Sequence, residues 1–475
     1  MPDPLELRDE LAASLSFAAG EAAGYLAGIA DHAVMAPGAE EALADWGDEL
    51  PEEGSGALES LRELAELADR TATRSSGPRF FHFVMGGGTP AALGADWLAS
   101  AYDQVAYAWA SSPFAATMER VATAWLRDLF ELPPAFAGIL VSGATMANFS
   151  ALAAARSWWA EQHGAQADVD GIAGLPQAPV LSSGYVHPSA QQAVGMLGLG
   201  RGRIHVLARD GVGRIDLEAL ERELDALDGA PAIVIANAGE VNAGDFDPIA
   251  AVAEVAKPRN AWLHVDGAFG LFARLAPESR ALTDGIERAD SIAADAHKWL
   301  NVPYDCGFAF VREPFRLADA FTVGAAYLPA GDDPHPNFGM LTPENSRRAR
   351  ALAVWATLRA YGRAGHRAMV ERHLALARAL ADRVDHEPDL ERLAEAKLNI
   401  VCFRAHPEGV EESALDELNR ELGAALLADG RVYCGTTVYD GRVAFRPAIV
   451  NWQTTEADVE LLVDVLLELL QKAGA

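Results

Sequence analysis

Short apolar runs alternate with amphipathic helical stretches between about residue 136 and residue 311. The runs are almost continuously hydrophobic, which is typical of parallel strands buried on both faces. We therefore predict an α/β fold with a mainly parallel sheet covered by helices on both sides. The last strand follows only a short loop, so we expect it to run antiparallel. The predicted strands span residues 138–141, 180–182, 204–207, 232–236, 262–265, 291–294 and 307–311, and the predicted helices include 146–161, 189–197, 217–227 and 248–256.

Helical periodicity marks the amino-terminal part of the chain, residues 1–78, as in Leu58, Leu61 and Leu64. The turn-rich sequence PEEGSG at 51–56 interrupts it. Helices this small carry apolar stripes but cannot bury them against one another alone. We expect this segment to pack on another domain or on a second subunit.

The carboxy-terminal part of the chain follows another pattern. Residues 346–361 predict a long connecting helix, after which helices and short strands alternate. Asp440-Gly441 separates the apolar runs 432–438 and 443–449, and an Asp-Gly pair in that position is a strong hairpin signal. The sequence thus predicts three units, which are an N-terminal helical segment at 1–78, a large domain at 79–355 and a small C-terminal α+β domain at 356–475.

The amino-acid composition limits the kinds of molecule that the chain is expected to bind. With 475 residues and 50% hydrophobic content, the chain can bury more than one large core. Its 38 basic and 68 acidic residues give a net charge of -30, which repels nucleic acids and anionic lipid heads. Cys306, Cys402 and Cys434 are far apart and odd in number, which favours reduced thiols, and they lack metal-ligand spacing. Residues 1–10 show no signal-peptide pattern and no apolar stretch is long enough to cross a membrane, so we expect a cytoplasmic protein.

Lysine is scarce in this arginine-rich chain, and one lysine stands in a crowded position. The four lysines are Lys257, Lys298, Lys397 and Lys472. Lys298 lies in DAHKWLN, residues 295–301, beside a histidine and just before a predicted strand. Arginine stays protonated, whereas a lysine amine can lose its proton and form a Schiff base with a carbonyl. A lysine placed in this way predicts pyridoxal phosphate (PLP) as the cofactor. The alternative is a surface lysine whose stem packs over Trp299.

Residues that follow two other predicted strands fit the same cofactor, because ligands of open α/β sheets bind beyond the carboxyl ends of the strands. The segment SGATMAN, residues 142–148, follows the first strand and opens a helix. Its backbone N–H groups and the Thr145 hydroxyl predict a phosphate site, and an ordinary helix N-cap is the alternative. His187 follows the second strand, where a flat imidazole would either stack on a pyridine ring or serve as a structural histidine.

Asp266 ends the fifth predicted strand, where a carboxylate buried without a partner would be costly. A protonated pyridine nitrogen would supply that partner, and the ion pair would keep the ring able to accept electrons. His297 and Lys298 follow the next strand. Each of these signals is weak alone. Together, a phosphate site, a stacking histidine, a strand-end aspartate and a His-Lys pair on successive elements predict a PLP enzyme.

Motifs along nearly the whole chain also match a known family. They are FFHF at 80–83, WASSP at 109–113, SGATMAN at 142–148, HPS at 187–189, HVD at 264–266, DAHKWL at 295–300 with Asp305-Cys306, SRR at 346–348 and FRPAIVN at 445–451. In these motifs the sequence resembles the group II PLP-dependent amino-acid decarboxylases of fold-type I. This family includes aromatic-L-amino-acid, histidine and glutamate decarboxylases. The HKW motif that follows HVD at this distance is highly specific for the family.

The resemblance implies a role for each matching residue. Lys298 would carry the cofactor as a Schiff base, Asp266 would pair with the pyridine nitrogen and His187 would stack on the ring. The remaining implied cofactor contacts are Ala144, Thr145 and His297 at the phosphate and Ala268 near the ring. Arg446 would engage the substrate carboxylate, as in glutamate decarboxylase-like members, or else pair with a surface acid. A homodimer is implied as well, with the N-terminal helices packing across the interface.

Two positions near the implied cofactor depart from the family pattern. Many relatives carry Thr-Thr where this chain has GEVNAG at 239–244, so Glu240 or Asn242 would take over contacts near the ring hydroxyl. Relatives often have Asn in place of Asp295. An acid beside a phosphate is repelled unless it is protonated or turned away.

The loop at 328–345 departs further from the family. It is rich in Gly, Pro and Asp, which predicts mobility, and there is no tyrosine between Tyr327 and Tyr361. In aromatic decarboxylases this loop supplies a tyrosine that protonates the substrate Cα, and an ungapped match puts Phe338 at that position. Without this tyrosine as proton donor, molecular oxygen would attack the carbanion at Cα, as in related aldehyde synthases. His335 could instead donate the proton.

Decarboxylation of an L-amino acid is therefore the first functional prediction. An aromatic substrate is favoured by four aromatic residues that could equally pack in the core, which are Phe80, Phe81, Phe83 and Trp109. The second prediction is another outcome on the same cofactor, either an aldehyde synthase or an aminotransferase. The third is a catalytically silent assembly protein, against which the intact Lys298 and Asp266 argue.

Overall fold

The computed structural model describes residues 4–5, 7–44, 46–47, 49–323 and 335–473. Its α-helices are α1 (Leu11–Ala27), α2 (Ala39–Ala44), α3 (Ala57–Thr71), α4 (Pro90–Tyr102), α5 (Pro113–Leu129), α6 (Ala144–Glu161), α7 (Pro188–Met196), α8 (Leu217–Asp225), α9 (Ile249–Ala256), α10 (Phe315–Phe321), α11 (Ala351–His386), α12 (Glu412–Asp429) and α13 (Glu456–Ala473). Its strands are β1 (Ala137–Val141), β2 (Val180–Ser182), β3 (Ile204–Val206), β4 (Ala232–Asn237), β5 (Ala261–Asp266), β6 (Ser291–Asp295), β7 (Gly307–Val311), β8 (Leu390–Arg392), β9 (Phe403–Ala405), β10 (Thr436–Tyr439) and β11 (Arg442–Phe445). No helix within these ranges combines the length and the hydrophobicity that a membrane crossing needs.

The seven predicted strands of the large sheet are all present, in the spatial order β1-β7-β6-β5-β4-β2-β3. The pairs from β3 through β2, β4 and β5 to β6 are parallel, whereas β7 is antiparallel to both of its neighbours, β1 and β6. The predicted α/β fold, with a mainly parallel sheet and an antiparallel last strand, is confirmed. Because β1 and β6 both run opposite to β7, their carboxyl ends meet at the same edge.

Apolar side chains cover both faces of this sheet. In β4, Val234 and Ala236 belong to one core with residues of α5, α8, α9 and α11. Ile233 and Ile235 belong to a second core with residues of α6, α7 and α10. Burial on both faces explains why the strands are continuous apolar runs in the sequence.

A second, antiparallel sheet contains β10, β11, β9 and β8 in that order. Tyr439 pairs with Arg442 on either side of Asp440-Gly441, so the predicted hairpin is confirmed, with strands shorter than the apolar runs. A third core joins this sheet to α12, α13 and the second half of α11.

Helix α11 runs between the two sheets and is kinked at Gly362, whose φ of 57° and ψ of -174° are not helical. It begins at Ala351, later than the predicted start at residue 346. The Ala106 N–H donates to the Arg347 carbonyl at 2.9 Å, and Val105 forms a β-bridge with Arg348. Backbone groups that are used in such a bridge are not available to a helix.

The N-terminal segment is helical, as its periodicity predicted, and α1 packs against α3. Leu11, Leu15 and Leu64 nevertheless remain exposed. A mainly apolar groove of about 490 Å³ lies between α1 and α4, with Trp97 and Trp452 in its lining. Exposed apolar surface of this kind is typical of a face that meets another molecule.

His373 is fully buried in α11 and is held as a neutral imidazole. Trp299 Nε1 donates to His373 Nδ1 at 2.8 Å, and His373 Nε2 donates to the Asn451 carbonyl at 2.9 Å. Burial, with the charge of Arg372, lowers the pKa of His373 to about 3. Below about pH 6.5 the unfolded chain therefore binds a proton that the folded chain does not, and stability falls by about 1.4 kcal/mol for each pH unit.

We expect His373 to account for a loss of about 2 kcal/mol in unfolding free energy between about pH 6.5 and about pH 5. The His373→Gln variant should lose that much less over the same range, because glutamine does not titrate. Urea unfolding of both proteins at the two pH values measures the difference. An equal loss in both proteins would contradict the assignment.

Candidate active site

Helix α6 begins just after β1, so its first backbone N–H groups lie at the carboxyl edge of the sheet, beside the end of β6. The Ala144 N–H donates to Asp295 Oδ1 at 2.5 Å. Lys298 Nζ lies 2.9 Å from Asp295 Oδ2, and His297 Nε2 lies 3.3 Å from Oδ1. Burial alone would raise the pKa of the Asp295 carboxyl, but the charges and hydrogen bonds of Lys298 and His297 lower this pKa to about 2. The Ala144 N–H and the side chains of Lys298 and His297 therefore stabilise negative charge at this position.

His297 is fixed in one tautomer beside Asp295. The Cys306 N–H donates to His297 Nδ1 at 3.1 Å, so the ring proton lies on Nε2. The ring stacks on Tyr304 with centroids 4.0 Å apart. A Cβ on Gly143 would lie only 3.1 Å from His297 Cε1, so the turn before α6 passes close to the ring. An N–H held in this way suits a phosphate oxygen.

Lys298 also lines a cavity of about 190 Å³ at the carboxyl edge of the sheet. The predicted residues that line it are Phe83, His187, Glu240, Asp266, Ala268, Lys298 and Arg446. The chain at Gly86 passes directly against the Lys298 backbone, where a Cβ would collide with the Lys298 carbonyl. Only glycine fits there, and the close approach fixes the backbone that carries the amine.

Asp266 is buried at the end of β5 and accepts two hydrogen bonds. Asn148 Nδ2 donates to Oδ2 at 2.9 Å, and the Ala268 N–H donates to Oδ1 at 3.1 Å. Within the described part of the chain, no basic side chain forms an ion pair with this carboxylate. A cation in the cavity would give it the partner that burial calls for.

His187 presents a neutral ring to the same cavity. The Ser189 N–H donates to its Nδ1 at 3.2 Å, and Ser189 Oγ lies 2.7 Å from the same nitrogen. Burial lowers the pKa of His187, and the charges of Lys298 and Arg446 lower it further, whereas Asp266 opposes the shift. The ring proton therefore lies on Nε2.

Arg446 follows β11 directly and is 8% exposed. Its Nη1 is buried and has no hydrogen-bond partner among the described residues. Burial lowers the pKa of this guanidinium, an effect that the nearby Glu240 carboxylate opposes. A buried guanidinium nitrogen that lines a cavity without an acceptor is suited to bind a carboxylate.

Asn242 does not line the cavity. Its Oδ1 accepts a hydrogen bond from Thr437 Oγ1 at 2.6 Å, which ties it to the small sheet. Glu240, the other residue considered for this position, does line the cavity. Burial raises the pKa of Glu240, although the N–H groups of Asn242 and Ala243 donate to its carboxylate.

Three predicted substrate residues lie apart from the cavity lining. Trp109 stacks on His335 with ring centroids 4.4 Å apart. Phe338 is buried in the second core, and the Arg347 guanidinium lies 5.8 Å from its ring centroid. Residues 324–334, which include the first part of the predicted loop, lie outside the described residues.

Tyr185, Asn237 and Phe269 line the cavity although the motifs did not predict them. Tyr185 OH donates to Asp245 Oδ2 at 2.8 Å, and Asn237 Nδ2 donates to Asp247 Oδ2 at 3.2 Å. Each of the three lies at or just after the end of a strand. The position that marked Asp266 would therefore have marked them as well.

Comparison with known proteins decides the family. The profile described as pyridoxal-dependent decarboxylase conserved domain matches residues 40–406. The chain belongs to the pyridoxal-dependent decarboxylase family. Aromatic-L-amino-acid decarboxylase from Bacillus atrophaeus is 31% identical over 419 residues, which cover 87% of this chain and 85% of that protein. L-2,4-diaminobutyrate decarboxylase from Rhizobium meliloti (strain 1021) is 32% identical over 435 residues, which cover 90% and 84%.

Solved structures agree with this placement among the pyridoxal-dependent decarboxylases. The crystal structure of Oryza sativa TDC with PLP and tryptamine has a TM-score of 0.89 and 27% sequence identity to this chain. The match covers 99% of this chain and 100% of that chain. The fold is therefore that of the fold-type I PLP enzymes.

The protein is thus a PLP-dependent carboxy-lyase of the amino-acid decarboxylase class. The residues present fit this cofactor, because one cavity offers the Lys298 amine, the Asp266 carboxylate, which has no ion pair among the described residues, and the neutral His187 ring. The His297 Nε2–H and the start of α6 suit its phosphate. Asp295 competes with a phosphate for the Ala144 N–H.

Proposed function

We propose that this pyridoxal-dependent decarboxylase removes the α-carboxylate of an aromatic L-amino acid and releases the amine. The observation that carries the proposal is that Lys298 and Arg446 line one cavity together with Phe83 and Phe269. The guanidinium suits the substrate carboxylate, and the rings suit an aromatic side chain. The similarity to an aromatic-L-amino-acid decarboxylase supports the same substrate class.

In this proposal each residue of the site has its own role toward the cofactor. Lys298 Nζ would hold the cofactor covalently, Asp266 would pair with its ring nitrogen and His187 would contact its ring. Ala144, Thr145 and His297 would hold its phosphate. PLP, when bound, supplies an electron sink for the pair of electrons that the departing carboxylate leaves behind.

Phe83 and Val84 shape the substrate side of the cavity. Their φ angles of 55° and 61° lie in the left-handed region, which is rare for any residue except glycine and most of all for a β-branched one. Such backbone strain collects at binding sites because surrounding contacts hold it in place. We propose that it keeps Phe83 at the mouth of the cavity, where its half-exposed ring would contact the substrate.

Carbon dioxide release from each of the twenty L-amino acids, measured with the PLP-loaded enzyme, tests the proposed function. We expect an aromatic amino acid to give equal amounts of carbon dioxide and amine, without ammonia or hydrogen peroxide. Ammonia and peroxide in equal amounts would identify an aldehyde synthase instead, and conversion of a keto acid would identify an aminotransferase. L-2,4-diaminobutyrate should be included, because its second amine would suit the Glu240 carboxylate. A preference for it would replace the aromatic assignment.

The Arg446→Met variant is expected to lower kcat/KM by about 100-fold, mainly through a higher KM. Methionine replaces the unbranched stem of the side chain but removes the charge that would bind the carboxylate. Steady-state kinetics with the best substrate measures the effect, and the visible absorbance of bound PLP should stay unchanged.

Arg442→Met is the matched control, since Arg442 begins β11, the strand that Arg446 follows, and pairs with Glu391 at 3.6 Å at the surface. Its kinetics should equal those of the wild type. An unchanged KM in Arg446→Met would refute carboxylate binding by Arg446.

We also propose a cytoplasmic homodimer in which the N-terminal segment 1–78 packs on the partner, beside a large domain at 79–355 and a small domain at 356–475. The exposed Leu11 and Leu15 and the groove between α1 and α4 support the dimer. The three free, buried cysteines suit a reducing compartment. Light scattering tests the assembly, and a monomer at micromolar concentration would contradict it.

A further inference from the structure

Asn148 is fully buried one turn into α6, and neither the resemblance nor the cavity lining gives it a role. Its Nδ2 donates to Asp266 Oδ2 at 2.9 Å and to Ser189 Oγ at 3.3 Å. Its Oδ1 lies 2.9 Å from His264 Nε2. One carboxamide therefore contacts Asp266 directly and reaches His187 through Ser189.

The directions of these hydrogen bonds follow from the chemistry of the groups. An ionised Asp266 only accepts, so Nδ2 of Asn148 faces it and Oδ1 accepts from His264 Nε2–H. His264 Nδ1 is then an acceptor for the Ser291 hydroxyl at 2.9 Å, and Ser291 Oγ accepts from Trp262 Nε1 at 2.9 Å. Burial lowers the pKa of His264 to about 4, which keeps the imidazole neutral. Each hydrogen bond in the series that leads from Trp262 through Ser291, His264 and Asn148 is therefore donated in the direction of Asp266.

A second branch leads from Asn148 to His187. The other Nδ2 hydrogen is directed at Ser189 Oγ, so the Ser189 hydroxyl is free to donate to His187 Nδ1 at 2.7 Å. This bond adds to the one from the Ser189 N–H, which already places the ring proton of His187 on Nε2. Buried hydrogen bonds in a row polarise one another, so the two branches act as one network.

We infer that Asn148 is a positioning residue, which sets the orientation of the Asp266 carboxylate toward the cofactor's ring nitrogen and supports, through Ser189, the hydrogen bond between the Ser189 hydroxyl and His187. This inference rests on the proposed roles of Asp266 and His187. A carboxylate that is oriented before the ligand arrives binds a cation without having to reorganise.

Titration of the apoenzyme with PLP, and with a deaza analogue in which a CH group replaces the ring nitrogen, tests this inference without turnover. The Asn148→Ala variant is expected to bind PLP about tenfold more weakly or worse, the effect of losing a hydrogen bond to a charged group. Its affinity for the analogue should change by less than about threefold. Equal losses for both ligands would overturn the inference.

Two further variants keep this experiment decisive. Asn148→Leu keeps nearly the size of the side chain but can neither donate nor accept, so it tests the same point if the alanine variant does not fold. The same selective loss of PLP binding is expected. Asn419→Ala is the matched control, because Asn419 is fully buried in α12 and bonds only to the backbone of Ala405 and Leu415. It should lower the melting temperature and leave both affinities unchanged.

The His187 branch has its own test. Ser189→Ala should keep the wild-type preference for PLP over the deaza analogue and lower kcat without raising KM. A wild-type kcat in this variant would overturn the His187 branch. If the wild-type enzyme decarboxylates no amino acid, the proposed function fails, whereas the PLP titrations still decide the role of Asn148.

Discussion

The Lys298→Ala variant is expected to lose at least about 1,000-fold in turnover and all covalent attachment of PLP. Lys298 supplies the amine that lines the cavity, and the guanidinium of Arg446 cannot replace it because arginine does not become a nucleophile. Borohydride reduction, digestion and mass spectrometry measure the attachment. In the wild type the cofactor mass should appear on the peptide that contains Lys298, and in the variant on none.

Lys257→Ala is the matched control for this experiment. Lys257 is an exposed amine whose Nζ pairs with Asp290 at 2.6 Å, away from the cavity lining. Its replacement should leave turnover and attachment unchanged. If Lys298→Ala turned over any substrate at the wild-type rate, the proposed role of Lys298 would be overturned.

Replacing Glu119 with alanine is expected to lower the free energy of unfolding by about 3–5 kcal/mol. The side chains of Glu119 and Arg347 are each 1% exposed and form two hydrogen bonds, at 2.9 and 2.6 Å. Glu119 Oε1 also accepts from the Leu140 N–H at 3.1 Å. The substitution leaves a buried guanidinium without its counterion and a strand N–H without its acceptor, and both losses are costly.

Glu59→Ala provides the comparison, because Glu59 pairs with Arg62 at 3.2 Å and both side chains are about half exposed. Its effect should stay below about 1 kcal/mol. Urea unfolding of the two variants and the wild type measures both values. If Glu119→Ala costs no more than Glu59→Ala, solvent must reach the Glu119–Arg347 pair.

The carboxyl edge of the sheet could be predicted from the sequence because strands buried on both faces end abruptly at polar residues. Lys298, Asp266 and His187 stand at or just after such ends, and all three line one cavity. The same local signal predicted the start of α6 after β1. Local periodicity is sufficient when a residue's place depends mainly on the strand that it follows.

Other parts of the site depend on pairings that no local pattern encodes. Glu119 and Arg347 are 228 positions apart, and Asn148 and Asp266 are 118 apart. Asn148 lies between Ala147 and Phe149 in a mainly apolar helix, so no local pattern indicates its partners. The position of Phe338 was inferred by counting residues from an anchor, but chain length alone does not fix the direction in which a loop residue points. Its participation in catalysis stays a prediction.

Cofactor capture should report on completed folding, because of where β7 lies. Gly307 pairs with Val141 of β1 and also with Asp295 of β6, so this strand lies between the two sides of the site and holds them in place. Ala144 and Asp295 are 151 positions apart, and a contact across so long a loop forms slowly. We expect it to form only when β7 has taken its place between β1 and β6 in the sheet. A nascent chain that stops short of β7 would therefore carry the amine and the phosphate turn yet retain no PLP. The yellow colour of the bound cofactor would then mark chains that have finished folding.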